Sequence, residues 1–147
     1  MIHQSFVAAV NSQVASLEER LEAIQERLEV IEAEGYTAAH LITRNGYKGK
    51  QNYYLSHSKS SDWVTSGKPR MEYVGTKPAK IEQAQGRIDR YNEMKALEVE
   101  RLQVRHSIEQ IKYYLARIVS QLFDGDAYRA YLADPESLAV IANGNSA

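Results

Sequence analysis

Cysteine is absent from the 147 residues. That excludes a disulfide framework, a thiolate metal site and a cysteine nucleophile. Long apolar runs are missing too, since no stretch approaches the ~18 residues that a membrane span needs. Met1 to Val14 lack a basic leading segment and a small-residue cleavage site, so they do not read as a secretory signal. A cytoplasmic setting with no membrane partner is therefore expected. Gly67-Lys68 lacks both the earlier glycine and the following Ser/Thr of a phosphate-binding loop. His3, His40, His57 and His106 are scattered without metal-ligand spacing. His40 and His57 can be neighbours across strands, but neither has an acidic partner close in sequence. Ser56, Ser58, Ser60 and Ser61 lie near His57 and Asp62. A serine nucleophile, however, needs a base held beside it in a rigid cleft, and this polar run reads as a loop. The expectation is a non-enzymatic protein with no catalytic residues, no metal and no cofactor.

What is present is charge, strongly segregated beneath a net value of −1. Residues 1–35 carry seven Glu against Arg20 and Arg27, a balance of −5. Residues 36–76 carry Arg44, Lys48, Lys50, Lys59, Lys68 and Arg70 against Asp62 and Glu72, a balance of +4. Residues 77–123 come to +3 and residues 124–147 to −3. A chain charged this unevenly can present a positive face despite its near-neutral total.

The first helix, over residues 1–35, has an unbroken heptad. Val7, Val14, Leu21 and Leu28 occupy one seam position, and Val10, Leu17, Ile24 and Ile31 the other. That is the alternating three-and-four spacing of a coiled coil. Its glutamates flank the seam, which makes them a solvated face and not the inward carboxylates of a di-metal bundle. Gly35 is the stop signal. The second helix spans 77–123 and starts at a Thr76 cap followed by Pro78. Ile81, Ala84, Ile88 and Tyr91 form a first stripe. Met94, Leu97, Arg101, Val104, Ile108, Ile111, Leu115, Ile118 and Leu122 form a second, offset by one short step. Looser packing is expected over 91–101, where Arg101 enters the stripe. Antiparallel pairing across the insert places Ile31 near Ile81 and Val7 near Arg105. Residues 106–122 would then overshoot the first helix. Their cover would come from short C-terminal helices at 127–132 and 135–141, or from a second copy of the chain. The seam Val104, Ile108, Ile111, Leu115, Ile118 and Leu122 thus fits a monomeric hairpin and a homodimer equally.

Residues 36–76 read as β. Strands are expected at 39–44, 51–57 and 70–74, with Asn45-Gly46 as a two-residue hairpin turn. The Ser/Gly/Pro-rich stretch 58–69 reads as a mobile loop anchored by Trp63-Val64. Basic side chains neutralise phosphates and aromatic rings stack on unpaired bases. The binding candidates are therefore Arg44, Lys48, Lys50, Tyr53, Tyr54, Lys59, Trp63, Lys68 and Arg70, with Tyr36, Tyr47 and Tyr73 nearby. Tyr53 and Tyr54 point to opposite faces of a strand. Because tyrosine and arginine also favour protein interfaces, nucleic acid, a protein partner and a purely structural cap all stay open.

Tyr53-Tyr54-Leu55, Gly67-Lys68-Pro69 and Tyr73-Val74-Gly75, within residues 46–123, carry a resemblance. The chain resembles small proteins of transposons, plasmids and phages in which a β-ribbon precedes a coiled-coil helix. Such proteins often carry cysteines after the first strand, and this chain has none, so a shared metal site does not follow. The resemblance implies a mobile-element setting and DNA contact, and it implies no enzyme.

The expected fold is mainly α in a single domain, 1–147. It is a long antiparallel coiled-coil helical hairpin (helices 1–35 and 77–123) with a small three-stranded antiparallel β insert (36–76), short C-terminal helices and a frayed end (124–147). The expected function is a nucleic-acid-binding accessory protein. The alternative is a protein-interaction module, such as a phage-encoded inhibitor of a host defence system or a coiled-coil scaffold.

Overall fold

The computed structural model describes residues 2–122. The expected C-terminal helices at 127–132 and 135–141 lie outside the described residues. In chain order come helix α1 (Ile2–Glu34), strand β1 (Ala39–Asn45), a 3-10 turn (Tyr47–Gly49), strand β2 (Gln51–His57), the one-turn helix α2 (Asp62–Thr65), strand β3 (Met71–Gly75) and helix α3 (Pro78–Leu122). No helix among the described residues is long and apolar enough to cross a membrane.

Three helices with a three-stranded antiparallel sheet replace the expected coiled-coil helical hairpin. Among the described side chains of α1, Val7, Ile24 and Ile31 are buried, while Val10, Val14, Leu17, Leu21 and Leu28 are half-buried. The described residues form two compact units, one of residues 2–24 with 100–122, the other of residues 25–99. Each has its own apolar cluster, and the cluster of the second is built from the sheet and α3. An amphipathic stripe needs an apolar partner, and a sheet face satisfies it as well as a helix does.

In the unit containing Val7, that residue packs with Leu115, Ala116 and Val119, and Val10 and Ile111 lie against them. The expected overshoot of residues 106–122 is thereby corrected, because α1 itself covers much of that stretch. Val104 and Ile111 are half-buried, and Ile108 and Leu115 are buried. Ile118 is exposed, and Ala116 and Val119 take its place inside. From Ile108 to Val119 is eleven residues, close to three straight α-turns, whereas a strict heptad would need under-winding. The Leu122 side chain lies outside the described residues. Arg20 forms a two-pronged pair with Glu100, Nε to Oε1 at 2.6 Å and Nη2 to Oε2 at 2.8 Å.

In residues 25–99, Gly35 ends α1 in the left-handed region (φ +82°). Its N–H donates to the Ile31 carbonyl at 3.0 Å, the usual glycine stop. The chain then meets α3 well along its length. Arg90 Nε donates to the Gly35 carbonyl at 2.6 Å, and the Thr37 N–H donates to the Arg87 carbonyl at 3.1 Å. Arg27 pairs with Glu93 through both guanidinium prongs, at 2.7 and 2.9 Å. The first turns of α3 are thus left to the sheet, which is why the expected approach of Ile31 to Ile81 does not set the register. Pro78 occupies the first helical position, and the Lys77 carbonyl, not a Thr76 side chain, receives the first helical N–H groups.

The strand order is β1-β2-β3. Ala39 pairs with His57 and Asn45 with Gln51 at the two ends of the hairpin. The loop between them is Gly46–Lys50, so the expected two-residue Asn45-Gly46 turn does not form. Gly46 is extended (φ −95°), and positive φ falls at Lys48 (59°) and Gly49 (72°) instead. A Cβ on Gly46 would collide with the Asn52 side-chain amide. That amide is the end of a flexible side chain and can turn away, while the Lys50 carbonyl oxygen, 3.1 Å from the same position, makes the site tight; no left-handed turn is formed at Gly46. On the other side of β2, Tyr54 faces Tyr73 while Tyr53 faces Gly75. Val74 is the extra residue of a β-bulge there.

Alternation along the strands sorts the side chains into two faces. Ala39, Leu55 and Val74 are buried with Ala84 and Ile88 of α3, and Leu41, Tyr53 and Ile81 pack at the edge. Removing a side chain such as that of Leu55 from water contributes about 1.5–3 kcal/mol. The opposite face carries His40, Ile42, Arg44, Asn52, Tyr54, Ser56, Met71 and Tyr73, with no helix of this unit packed on it in the apolar cluster.

Candidate nucleic-acid interface

The outer face follows from the strand register. Ile42 lies opposite Tyr54, Arg44 opposite Asn52, and Tyr54 opposite Tyr73. The two tyrosine rings meet edge to face, with centroids 5.3 Å apart. Arg44 places its guanidinium carbon 5.7 Å from the Tyr54 ring centre. Tyr73 is 62% exposed and Tyr47, at the hairpin tip, 85% exposed. Lys48 Nζ sits 5.6 Å from the Tyr47 ring centre, and Lys50 is exposed beside it. Residues 36–61 contain no Asp or Glu. Of the two acids in 36–76, Asp62 lies in α2 and Glu72 faces inward opposite Leu55. The tip and outer face are therefore cationic and aromatic, and the one carboxylate of the three strands, Glu72, points to the opposite face.

Glu72 is neutralised on the inner face. His57 is fully buried, and a buried polar ring must have its hydrogen bonds made. Its Nδ1 lies 2.7 Å from Thr37 Oγ1 and its Nε2 lies 2.7 Å from Glu72 Oε2. Arg87 Nη1 donates to both Glu72 oxygens, at 3.0 and 3.2 Å. Facing a carboxylate, which has only lone pairs to offer, Nε2 donates its proton to Glu72, and Nδ1 shares the second hydrogen bond with the Thr37 hydroxyl. The Trp63 ring stacks on His57 at 4.8 Å and 8°, and its Nε1 donates to the Pro69 carbonyl at 2.8 Å. Lys68 Nζ caps the indole at 4.1 Å, and Arg70 Nε donates to the His57 carbonyl at 3.0 Å. A hydroxyl, an imidazole and a carboxylate in series are the parts of a nucleophile–base chain. Here the imidazole is enclosed, the hydroxyl belongs to a buried threonine, and the carboxylate is shared with Arg87, so the chain acts as a clamp between segments. Among the described residues no three His, Asp or Glu side chains converge as a metal site would need.

Two clefts border this clamp. One, of about 460 Å³, is lined by Tyr36, Asp62, Trp63, Lys68, Arg87 and Tyr91 among others. Tyr36 and Tyr91 stack at 6.2 Å. Burial, and then Glu32, Asp62 and Glu98, push the Tyr36 phenol above its ordinary value. The other cleft, of about 470 Å³, lies past the end of β2 and takes His40, Ser56, Ser58, Lys59, Arg70 and Asn92 into its lining.

The nine candidate residues thus divide. Arg44, Lys48, Lys50 and Tyr54 come together on the tip and outer face. Tyr53 packs toward the core. Trp63 and Lys68 belong to the clamp, and Lys59 and Arg70 to the second cleft. The stretch expected as a mobile loop contains α2, where the Ser61 hydroxyl accepts from the Val64 N–H at 3.4 Å. His40 and His57 are not cross-strand neighbours, because His40 pairs with Ser56 and points outward. Tyr47, Tyr73 and Asn52 join the site without having been among the nine. Alternation from Tyr54 would have marked Asn52, and the pairing register Tyr73. No known family model matches the chain, and neither a curated protein nor a solved structure matches it.

Proposed function

We propose that this chain is a non-enzymatic nucleic-acid-binding accessory protein that contacts its ligand through the tip and outer face of the sheet. The observation that carries the reading is the grouping of Arg44, Lys48 and Lys50 with the rings of Tyr47, Tyr54 and Tyr73 on an acid-free surface. Cations there neutralise phosphates, and each neutralised phosphate steepens the salt dependence of binding. The mobile-element setting implied by the sequence resemblance belongs to the same proposal. Fluorescence anisotropy with labelled DNA and RNA over a salt series tests it. The triple variant Arg44→Ala/Lys48→Ala/Lys50→Ala should weaken binding and make the log–log salt slope shallower by about 2–3, at roughly 0.7–0.9 per lost contact. Absence of binding to either polymer at low salt would end the proposal. A protein-interaction module is the second reading, because half-buried Ile42 and Met71 lie on the same face as the tyrosines. It predicts a complex that tolerates salt and survives the triple charge variant.

A further inference from the structure

We infer that the ligand of this face is a single strand, laid along the sheet from the hairpin tip to the cleft of His40, Lys59 and Arg70. The inference rests on the nucleic-acid reading above and adds the strandedness and the path. The rings supply the first reason. Tyr73 and Tyr47 present exposed aromatic surface, and Tyr54 lies between Tyr73 and Arg44 on the open face. A base inside a duplex is already stacked on both sides, so only an unpaired base can use such a platform.

The breadth of the platform supplies the second. Three strands place their outermost axes about 10 Å apart before side chains are counted, and α3 packs behind them. A major groove about 12 Å wide admits a helix or a two-stranded ribbon, and this layer is broader than either. Only the short tip beyond β3 could enter a groove, and it carries none of the Tyr54–Tyr73 pair.

The cations supply the third. They cluster at the two ends of the hairpin, with Tyr54 and Tyr73 between. Seven residues of β2 span about 23 Å at ~3.3 Å each, enough for a few nucleotides. At the tip stand Arg44, Lys48 and Lys50. At the far end the cleft of about 470 Å³ contains His40, Lys59 and Arg70 with the hydrogen-bonding side chains of Ser56, Ser58 and Asn92, and its lining holds no acid among the described residues. Arg70 is held by its Nε bond to the His57 carbonyl, which aims the guanidinium and leaves its terminal nitrogens available to a phosphate. His40 and Ser56 belong both to the outer face with Tyr54 and to the lining of the cleft, and so link the two.

The test compares a labelled mixed-sequence DNA strand, the same strand annealed to its complement, and the matching RNA strand, by anisotropy at one salt concentration. The single strands should bind at least about tenfold more tightly than the duplex, the scale of one base–ring stack. Tyr73→Ala should remove most of that preference, while Tyr73→Phe should retain it. Lys59→Ala should make the single-strand salt slope shallower by about 0.7. Trp63 fluorescence monitors folding of each variant. Duplex binding as tight as single-strand binding, and insensitive to Tyr73→Ala, would overturn strandedness while leaving the nucleic-acid reading intact. Binding of no nucleic acid would overturn both.

Discussion

Replacing His57 by alanine removes a ring that joins the link between α1 and β1, strands β2 and β3, and the α2 loop. The imidazole is fully buried, so its loss leaves the Thr37 hydroxyl without its partner and takes one bond from Glu72. The neutral bond to Thr37 contributes about 0.5–1.5 kcal/mol, and the bond to the carboxylate about 1.5–3 kcal/mol. The latter falls at the low end, because Glu72 is 23% exposed and keeps Arg87. The stack on Trp63 adds about 0.5–1.5 kcal/mol, and the vacated space adds a cavity cost. A destabilisation of about 3–5 kcal/mol is expected, and for a chain of this length roughly 10 °C in Tm. Trp63 is the only tryptophan and stacks on the ring in question, so its emission in a urea titration reports this unit directly. Glu72→Gln, which keeps an acceptor for Nε2 and loses the ion pair with Arg87, should cost less than His57→Ala. A loss below about 1 kcal/mol for His57→Ala would refute the account of the clamp, since even the two hydrogen bonds alone exceed that.

Arg101 carries a buried Nε with no hydrogen-bond partner among the described residues. Arg101→Leu should therefore stabilise the chain by about 1–2 kcal/mol, read as a raised urea midpoint by circular dichroism at the helical band. Glu93 and Glu100 are held below the ordinary carboxylate value, first by hydrogen bonds from Arg27 and Arg20 and then by the attraction of those charges. A lowered folded-state value contributes stability that is present above the ordinary value of 4.5 and is lost as pH falls through the folded one. The urea midpoint should decline as pH is taken below 4.5, and the Glu93→Gln/Glu100→Gln variant should show a shallower decline. Tyr53→Ala should destabilise the unit of residues 25–99 by about 2 kcal/mol, less than a fully buried aromatic would, whereas Tyr54→Ala should cost less stability and more nucleic-acid affinity. Equal stability losses for the two would contradict the assignment of faces.

Much of the local structure was legible in the residues themselves. Apolar side chains recurring every three and four positions marked the two long helices, because that spacing lines one side of an α-helix whatever packs on it. Gly35 and Pro78 bounded them through backbone constraints that need no neighbours. The strand at Gln51–His57, the opposed directions of Tyr53 and Tyr54, and the freedom of residues 36–61 from acid were equally local facts. Tertiary structure decided the rest. The stripe on α3 showed that something apolar must cover it and could not say that a sheet would do so at Ala84 and Ile88, which is where the coiled-coil hairpin expectation failed. Alternation gives a strand two faces, and only the docking of α3 chose Leu55 and His57 for the inside and Tyr54 for the outside. His57 finds its acid in Glu72, fifteen residues away, and Glu72 finds Arg87 a further fifteen on. Hydrogen bonds reach about 3 Å through space, so partners that far apart along the chain are set by the fold and not by their spacing.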